Sequence, residues 1–462
     1  MSETFSDPVQ PMRAAITAAL ADGMTSRSAS PTAPVLHRAT IPWLATSPLD
    51  WLYGLPNELR FYGATRSPAV PIEIGGAGVA DVAAWTEPVA YGVVLNRLHD
   101  VLNTSSEGIR YYGGFRFSPS TQPESVWALF GSSRFIVPRW EYLRTPASGS
   151  LSLHFTRAEY EAGMTHAWLD QLSKMQFADC DWEDPFPPPQ ARHENPDYSG
   201  WERNIETALQ AFREGNLEKI VLARKAEFLF GAPVDPIVLL RRLRKATPDC
   251  FHFCYMPAPN LAFVGASPER LYRRDGRALK TEAVAGTRMR GRNAEEDQRL
   301  AEQLLSSDKD LREHEFVRTG IRAALEPLSD EFSIDESPRL LRLARGQHLF
   351  SAAQAHLRPD VTDADILSSL QPTPALGGYP TAAALELIAE LEPFDRGWYA
   401  APVGWVSRDE AEFAVAIRSG LVQPRKLSLY SGAGIVAGST PESEWEEIEL
   451  KIRDFIKVLT AS

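Results

Sequence analysis

The stretch CFHFCYMPAPNLAFVGAS, residues 250–267, contains two apolar segments separated only by a short turn with two prolines. Both segments are rich in aromatic and aliphatic residues, which is typical of strands, and the connection is too short for a helix. Three more strand-like segments, WYAAPVGWVS, EFAVAIRSGLV and KLSLYSGAGIV, follow one another near the end of the chain. Strands that arrive in succession predict an α/β (α+β) fold: a large layered unit of mainly antiparallel sheets flanked by helices.

Changes in composition divide the chain into three parts. Residues 1–35 are rich in Ser, Thr, Pro and Ala, and we expect a flexible segment with a short helix between Met12 and Met24. Residues 36–190 carry aromatic stretches broken by Gly and Pro, which predict a strand-rich N-terminal subdomain. A proline-rich stretch at 181–200 is the best linker candidate, and it leads into a larger region at 195–460.

Charge and cysteine content restrict the partners and the compartment. The chain has 462 residues and a formal net charge of −12. Nucleic acids and anionic membranes attract basic surfaces, so neither is expected as a partner. Three cysteines are too sparse for a disulfide framework, and no signal peptide or bilayer-spanning apolar run is recognised. We therefore expect a cytoplasmic protein.

Lys219 is the first residue of the apolar segment KIVLAR. Side chains alternate between the two faces of a strand, and both faces of this segment are largely apolar, so the strand is expected to be buried on both sides. A desolvated lysine that loses its proton is a competent general base. The alternative is a lysine at the strand edge, whose long side chain reaches water.

Glu269 lies in the segment FVGASPERLYRR, directly after a predicted strand. In a partly apolar pocket such a carboxyl would stay protonated and act as an acid. The alternative is an ordinary loop carboxylate that forms an ion pair with Arg270, Arg273 or Arg274.

Three glutamates on two predicted helices form a candidate metal site. Glu313 lies on the apolar arc of one helix, and Glu444 and Glu447 share a stripe of the last helix with Lys451. Mg²⁺ prefers such oxygen ligands and leaves positions for an anionic substrate. An internal salt bridge or a favourable interaction with the helix dipole are the alternatives. Because nothing local pairs Glu313 with Glu447, their charges are expected to repel each other without a cation.

A series of motifs in order identifies a resemblance to the chorismate-utilising enzymes over about residues 195–460. The motifs are KIVLAR, FVGASPERL, EAVAGTRMRGR, SSDKDLREHEF, LQPTPALGGYP, YSGAGIV and ESEWEEIELK. The likeness is closest to the isochorismate synthases, which resemble one another in PTPALGGYP and in the lysine of KIVLAR. The resemblance implies a chorismate-binding, anthranilate synthase component I-like fold and the Mg²⁺-dependent isomerisation of chorismate to isochorismate.

The same resemblance implies a role for each candidate residue. Lys219 would activate water for attack at ring carbon 2, and Glu269 would protonate the hydroxyl that leaves carbon 4. Glu313 and Glu447 would hold Mg²⁺, which anchors the ring carboxylate, and Glu444 would support the metal through water. The implied substrate-binding residues are Gly286, Thr287, His348, Ala375, Arg418, Tyr430, Gly432 and Lys451.

Other readings stay open at the level of sequence. Salicylate synthases resemble this pattern and also eliminate pyruvate from isochorismate. The motif PTPALGG favours an isochorismate synthase over a salicylate synthase. The amine-forming relatives take ammonia from a glutamine amidotransferase. Lys219 and Ala375 do not match the pattern of that class. No amidotransferase subunit is therefore expected. A non-enzymatic alternative is that the charges form structural ion pairs in an interaction protein. The pathway served, whether to menaquinone, a catechol siderophore or salicylate, is not encoded in these motifs.

Overall fold

The computed structural model describes most of the chain, namely residues 7–22, 33–44, 46–55, 59–66, 71–118, 124–175, 186–344 and 346–460. The strands of this part are, in chain order, β1 (Leu36–Pro42), β2 (Arg60–Ala64), β3 (Glu73–Ala77), β4 (Asp81–Trp85), β5 (Tyr111–Phe115), β6 (Ser133–Val137), β7 (Trp140–Arg144), β8 (Gly149–Thr156), β9 (Pro189–Asn195), β10 (Lys219–Phe230), β11 (Phe251–Ala258), β12 (Leu261–Ser267), β13 (Arg270–Asp275), β14 (Ala278–Met289), β15 (Ser329–Ile334), β16 (Arg339–Arg342), β17 (Gly346–Leu357), β18 (Gly378–Tyr379), β19 (Pro402–Val406), β20 (Glu410–Val415), β21 (Ser419–Gln423) and β22 (Lys426–Val436). The helices are α1 (Val9–Asp22), α2 (Pro48–Tyr53), α3 (Tyr91–Leu102), α4 (Arg157–Glu161), α5 (Thr165–Lys174), α6 (Tyr198–Arg213), α7 (Pro236–Ala246), α8 (Ala294–Leu305), α9 (Asp308–Leu325), α10 (Asp363–Leu370), α11 (Thr381–Leu391) and α12 (Pro441–Thr460).

The described strands form two antiparallel sheets. The first has the order β1-β8-β7-β3-β2-β11-β12-β21-β22-β10-β18, with β9 also paired to β10. The second has the order β15-β17-β14-β13-β20-β19-β5-β6-β4, with β16 also paired to β17. The predicted class, layered antiparallel sheets flanked by helices, is confirmed. The segments 250–256 and 261–267, read as paired strands, lie in β11 and β12 and pair directly with each other.

One hydrophobic core joins the two sheets, and a second lies beneath helices. The first contains Phe253 and Phe263 of one sheet together with Phe135 and Phe413 of the other. The second gathers apolar residues of the first sheet under α1, α2, α5, α7 and α12. Both faces of the first sheet are therefore covered, which explains why β10 is buried along nearly its whole length.

The sheets cross the chain boundary predicted near residue 190. In the first sheet β2 pairs with β11, and in the second β5 pairs with β19. Strands from 36–190 and from 195–460 are thus hydrogen-bonded neighbours in both sheets. The described part of the predicted linker contains strand β9, which begins at Pro189, where the missing N–H of proline is tolerated, and the start of α6. Residues 181–185 of that stretch lie outside the described part.

Helix α1 packs on the body of the protein, unlike the flexible segment expected at residues 1–35. Met12 and Ile16 are fully buried and belong to the core beneath the helices. Burial of two large apolar side chains stabilises this helix of 14 residues, which would be only marginally stable in isolation. Residues 1–6 and 23–32 of the segment lie outside the described part. Among the described helices, α1 and α12 included, none is both long enough and apolar enough to span a bilayer.

Candidate active site

The candidate site lies where the chain passes from one sheet to the other. Glu269 lies on the connection from β12 to β13, and Arg418 lies on the connection from β20 to β21. Backbone hydrogen bonds tie the two connections together, from Ala266 N to Arg418 O at 3.0 Å and from Val415 N to Glu269 O at 3.1 Å. Strand β10 and helices α9 and α12 complete the walls of the site.

A cleft of about 800 Å³ opens at this position. Its lining includes eleven of the residues predicted from the sequence: Glu269, Gly286, Thr287, Glu313, His348, Ala375, Arg418, Tyr430, Gly432, Glu447 and Lys451. Lys219 lies immediately behind the wall, next to Glu313, and Glu444 lies one helical turn from Glu447. The tertiary structure therefore gathers residues that are spread over more than half of the chain.

Lys219 is the first residue of β10 and has no solvent exposure. Its Nζ donates a hydrogen bond to Glu313 Oε1 over 3.3 Å. The predicted burial of the strand is confirmed, and the alternative of a lysine that reaches water is wrong. Gly434 of β22 provides the space, because a Cβ there would lie 2.5 Å from Glu313 Oε1 and 3.2 Å from Lys219 Cε.

The Glu269 carboxyl is buried, with 6% of the residue exposed. Burial raises its pKa to about 8, the Glu282 carboxylate adds to this effect, and Lys219, Lys451 and Arg66 oppose it. Among the described residues no ion pair joins Glu269 to the arginines that follow it, since Arg270 pairs with Glu412 and Arg274 with Asp363. The carboxyl is therefore mostly protonated at neutral pH, as the acid hypothesis requires.

The three glutamates of the predicted metal site each contact a lysine. Glu313 pairs with Lys219, Glu444 with Lys309 at 2.6 Å, and Glu447 with Lys451 at 2.7 Å. The internal salt bridges that were the alternative are therefore present, because Lys451 lies one turn after Glu447 on α12 and Lys309 reaches across from α9 to Glu444. Lysine ammonium groups here offset the repulsion that was expected between the carboxylates.

The three glutamates have suitable ligand atoms for a hard cation, but their arrangement in this structure does not form a metal site. Glu444 is fully buried, its Oε2 has no hydrogen-bond partner, and its pKa is raised by burial and by the Glu447 carboxylate. Lys309 interacts electrostatically with Glu444, Glu447 and Glu313 together, so all three carboxylates surround one positive charge. Among residues that the structure describes, no three acidic, histidine or cysteine side chains stand close enough together to hold a metal ion. Binding a cation would require these acids to exchange lysine contacts for metal contacts.

A β-bulge shapes the wall opposite Arg418. The register between β14 and β17 shifts between Ala285 and Thr287, and Gly286 has a φ of +68°. Glycine suits this left-handed conformation, and a Cβ there would lie 3.1 Å from Asp310. Thr287 Oγ1 and Gly286 O lie 3.0 and 3.2 Å from His348 Nδ1. The bulge therefore orients the His348 ring.

His348 is buried with one ring nitrogen unused. Burial, aided by the nearby Arg418 and Lys451 charges, lowers the pKa of His348 to about 3, so the ring is neutral. When Nδ1–H donates to Gly286 O, the Nε2 atom is an acceptor. Nε2 is buried without a partner. It is therefore free to accept a hydrogen bond from a hydroxyl bound in the cleft.

The cationic end of the cleft is held in an unusual backbone conformation. Arg418 and Ala400, which both line the cleft, have φ angles of +50° and +62°. Such strain in residues other than glycine is concentrated at functional sites. Lys451 Nζ donates to Gly432 O over 2.8 Å, and Tyr430 stacks on Tyr399. Lys451 is thus fixed between a backbone carbonyl and Glu447.

Several residues at the site have no clear signal in the sequence. Arg396 is buried in the cleft wall, where it pairs with Glu392 and donates to Val221 O and Leu376 O. Tyr399 stacks against Tyr430 from a segment that reads only as a strand. Lys309 is the exception, because the sequence shows that it precedes Glu313 by one helical turn and so shares its face of α9.

A second, outer chamber adjoins the cleft and shares Thr287, His348, Arg418 and Lys451 with it. Farther out, its lining includes the cationic residues Arg288, Arg453 and Lys457 and the acidic residue Asp249. Cationic residues therefore outnumber acidic ones in its lining, although the protein as a whole is acidic.

Comparison with known proteins agrees with this geometry. The family model described as chorismate binding enzyme matches residues 25–460. The chain is 36% identical to isochorismate synthase MenF of Bacillus subtilis over 78% of this chain and 76% of that protein. It is 38% identical to the salicylate biosynthesis isochorismate synthase of Pseudomonas aeruginosa over 76% of this chain and 74% of that protein.

A solved structure extends the likeness to the fold as a whole. The menaquinone-specific isochorismate synthase MenF from Escherichia coli matches with a TM-score of 0.80 and 30% identity, covering 97% of this chain and all of that one. The N-terminal strands are thus part of the shared fold, although their sequence motifs are weak. The chain belongs to the chorismate-binding enzymes, the family that includes the isochorismate synthases.

Proposed function

We propose that this protein is an isochorismate synthase, an isomerase that converts chorismate into isochorismate. The observation that carries the proposal is a buried, protonated glutamic acid, Glu269, in the cleft and a buried lysine, Lys219, directly behind the cleft wall. The named activity of its relatives supports the same reaction class.

The reaction needs one proton removed and one proton supplied. Water adds at ring carbon 2 and gives a proton to Lys219, which acts as the base once it has lost its own proton, while the hydroxyl at carbon 4 takes a proton from Glu269 and leaves as water. The ring double bonds shift between these carbons, and one water enters as another departs, so the reaction is an isomerisation. An acid and a base held at one site contribute through positioned proton transfer.

The cleft offers cations for the two carboxylates of chorismate. Arg418 and Lys451, beside Tyr430 and Gly432, are proposed to bind the enolpyruvyl carboxylate. The Gly286–Thr287 backbone is proposed to approach the other carboxylate. His348 and Ala375 would line the ring, with His348 Nε2 accepting a hydrogen bond from a ring hydroxyl.

We propose Mg²⁺ as the cofactor, held by Glu313 and Glu447 with Glu444 behind them. When bound, Mg²⁺ would neutralise the ring carboxylate. The buried, partnerless Oε2 of Glu444 supports this assignment. Lys219 would then lose its Glu313 partner, which leaves its Nζ available to a water at the ring.

Product analysis after incubation with chorismate and Mg²⁺ tests the reaction. Isochorismate should form without ammonia or glutamine, and Glu269→Gln protein should form none under the same conditions. Salicylate with stoichiometric pyruvate would indicate a salicylate synthase instead, and anthranilate formed with ammonia would indicate an amine-forming enzyme. Unchanged chorismate would leave only the reading of structural ion pairs.

A further inference from the structure

Glu269 lies between two residues that are held by the same buried acid–base pair. Glu282 of β14 accepts the backbone N–H of Arg270 at Oε1 over 2.8 Å and the Arg66 guanidinium at Oε2 over 2.7 Å. The same guanidinium also donates to the carbonyl oxygen of Pro268. Glu282 and Arg66 thus fasten the backbone on both sides of Glu269.

The Glu282 carboxylate of this pair is buried, whereas Arg66 is partly buried. Glu282 is 4% exposed. The Phe251 ring has the Arg66 and Arg270 guanidinium groups 5.5 and 5.3 Å from its centroid. Arg66 follows β2 in the N-terminal part of the chain, so these strands contribute directly to the support of the proposed acid. A charge in such an enclosed place acts strongly on its neighbours, because little water screens it.

Several charged groups face the Glu269 carboxyl from different elements. Glu282 opposes its ionisation, whereas Lys219 from β10, Lys451 from α12 and Arg66 favour it. Other titratable or charged groups of the cleft wall are Glu313 on α9, Glu447 on α12, His348 on β17, and Arg418. Burial and the Glu282 carboxylate outweigh the three cations, so the pKa of Glu269 is raised.

We propose that Glu282 is a positioning residue that keeps Glu269 in its proton-donating form, and that the positive charge of Arg66 limits this effect. The inference rests on the proposed function, in which Glu269 is the general acid. It assigns a catalytic purpose to an ion pair that touches neither the substrate nor the metal ligands. It also explains why the N-terminal strands are built into the same sheets as the site.

Glu282→Gln tests the charge without removing the contact, because the glutamine Oε1 still accepts from Arg270 N–H. The general acid must be protonated, so activity declines as pH rises through the pKa of Glu269. In Glu282→Gln this decline should begin roughly one pH unit lower, since a like charge has been removed. A purely structural role would lower activity at every pH and leave the position of the decline unchanged.

Two further variants guard against misfolding and unspecific effects. Arg66→Met removes a cation and leaves the Glu282 charge unbalanced, so the decline should move to higher pH, opposite to Glu282→Gln. Glu412→Gln is the matched control, because Glu412 is also a buried partner of Arg270 but is not among the charges that act most on Glu269. Shifts of Glu282→Gln and Arg66→Met in the same direction would overturn the proposal.

Infrared titration of the substrate-free protein separates this inference from the reaction itself. The carbonyl stretch of protonated Glu269 is assigned by its loss in Glu269→Gln and followed against pH. Its midpoint should be lower in Glu282→Gln than in the wild type, whether or not the wild type forms isochorismate. An unchanged midpoint would refute the role of Glu282, whereas a shifted midpoint without isochorismate formation would refute only the proposed function.

Discussion

The two proton-transfer candidates are both buried, but the charges around them differ. Lys219 is held at the start of a strand that is covered on both faces, with a carboxylate as its contact. Burial raises the pKa of Glu269, and the nearby Glu282 carboxylate adds to this effect against three cations. Burial thus keeps the Glu269 carboxyl protonated, whereas the Glu313 carboxylate holds the Lys219 side chain beside the cleft.

Replacement of Lys219 should remove the base without disrupting the fold. Lys219→Met, which keeps a long unbranched side chain, should lower turnover by about 10²- to 10⁴-fold, the usual contribution of a positioned general base. Lys219→Arg should also fail, because a guanidinium does not deprotonate at working pH. Turnover of chorismate is measured beside the melting temperature. A folded variant with near-normal turnover would show that Lys219 is not the base.

Glu269→Gln should lose activity but gain stability at alkaline pH. The carboxyl has a pKa of about 8 when folded, against an ordinary value of 4.5, so its favourable contribution is complete below pH 4.5. That contribution is lost progressively as pH rises to 8, because only the unfolded chain ionises freely. Glutamine does not titrate, so the variant should unfold with a free energy higher by on the order of 2–5 kcal/mol at pH 8.

Denaturant unfolding at pH 5 and pH 8 measures this difference. The two proteins should be nearly equal in stability at pH 5 and diverge at pH 8. An equal difference at both pH values would mean that Glu269 ionises as easily in the folded protein as in the unfolded one.

At the scale of elements, the site is made by two helices that bring acids and lysines to face each other. Helix α9 presents Lys309 and Glu313 one turn apart, and α12 presents Glu444, Glu447 and Lys451. Each ion pair either crosses between elements or joins successive turns. In strand β22, Gly434 has no side chain and so leaves space for Lys219 and Glu313.

Mg²⁺ should stabilise the protein through these helices. Mg²⁺ at 100 times its dissociation constant adds about 2.7 kcal/mol to the free energy of unfolding, and the melting temperature rises accordingly. Glu313→Gln and Glu447→Gln should lose this increment together with Mg²⁺-dependent activity. Glu446→Gln, an exposed change on the same helix, should retain both.

The opposite pattern would point to structural ion pairs. Loss of one acid would then strand a partly buried lysine at a cost of roughly 3–5 kcal/mol. A variant that melts far lower yet keeps Mg²⁺-stimulated turnover would contradict the metal assignment.

At the scale of the whole molecule, the protein is acidic overall, so its net charge repels the anionic substrate that we propose. The chain carries a formal charge of −12, whereas the outer chamber next to the cleft is lined mainly by cations. A local positive field in a cleft raises the rate at which an anion enters, and salt screens this field. We expect an anion that binds in the cleft to enter through this chamber.

Charge reversal in the outer chamber should slow the entry of the substrate. The double variant Arg453→Glu with Lys457→Glu should reduce kcat/KM several-fold at low salt and weaken its dependence on ionic strength, because the field along the passage is reduced. The value of kcat should change little, since both residues lie outside the cleft. The pair Arg157→Glu with Lys174→Glu, exposed elsewhere on the surface, is the control for net charge. Equal effects of the two double variants would exclude steering by the chamber.

Local patterns in the sequence were sufficient for the fold class, the paired strands at 250–267 and the buried strand that begins at Lys219. They are sufficient because the periods of strands and helices and the positions of turns depend on neighbouring residues. The ordered motifs also identified the family and half of the residues that line the cleft. The tertiary structure alone decided that the N-terminal strands join both sheets, that α1 packs on the body and that Glu313 and Glu444 each face a lysine from another element. It also placed Arg66 behind Glu269. These contacts join residues far apart in the chain, and they depend on strand order and register, which no local period encodes.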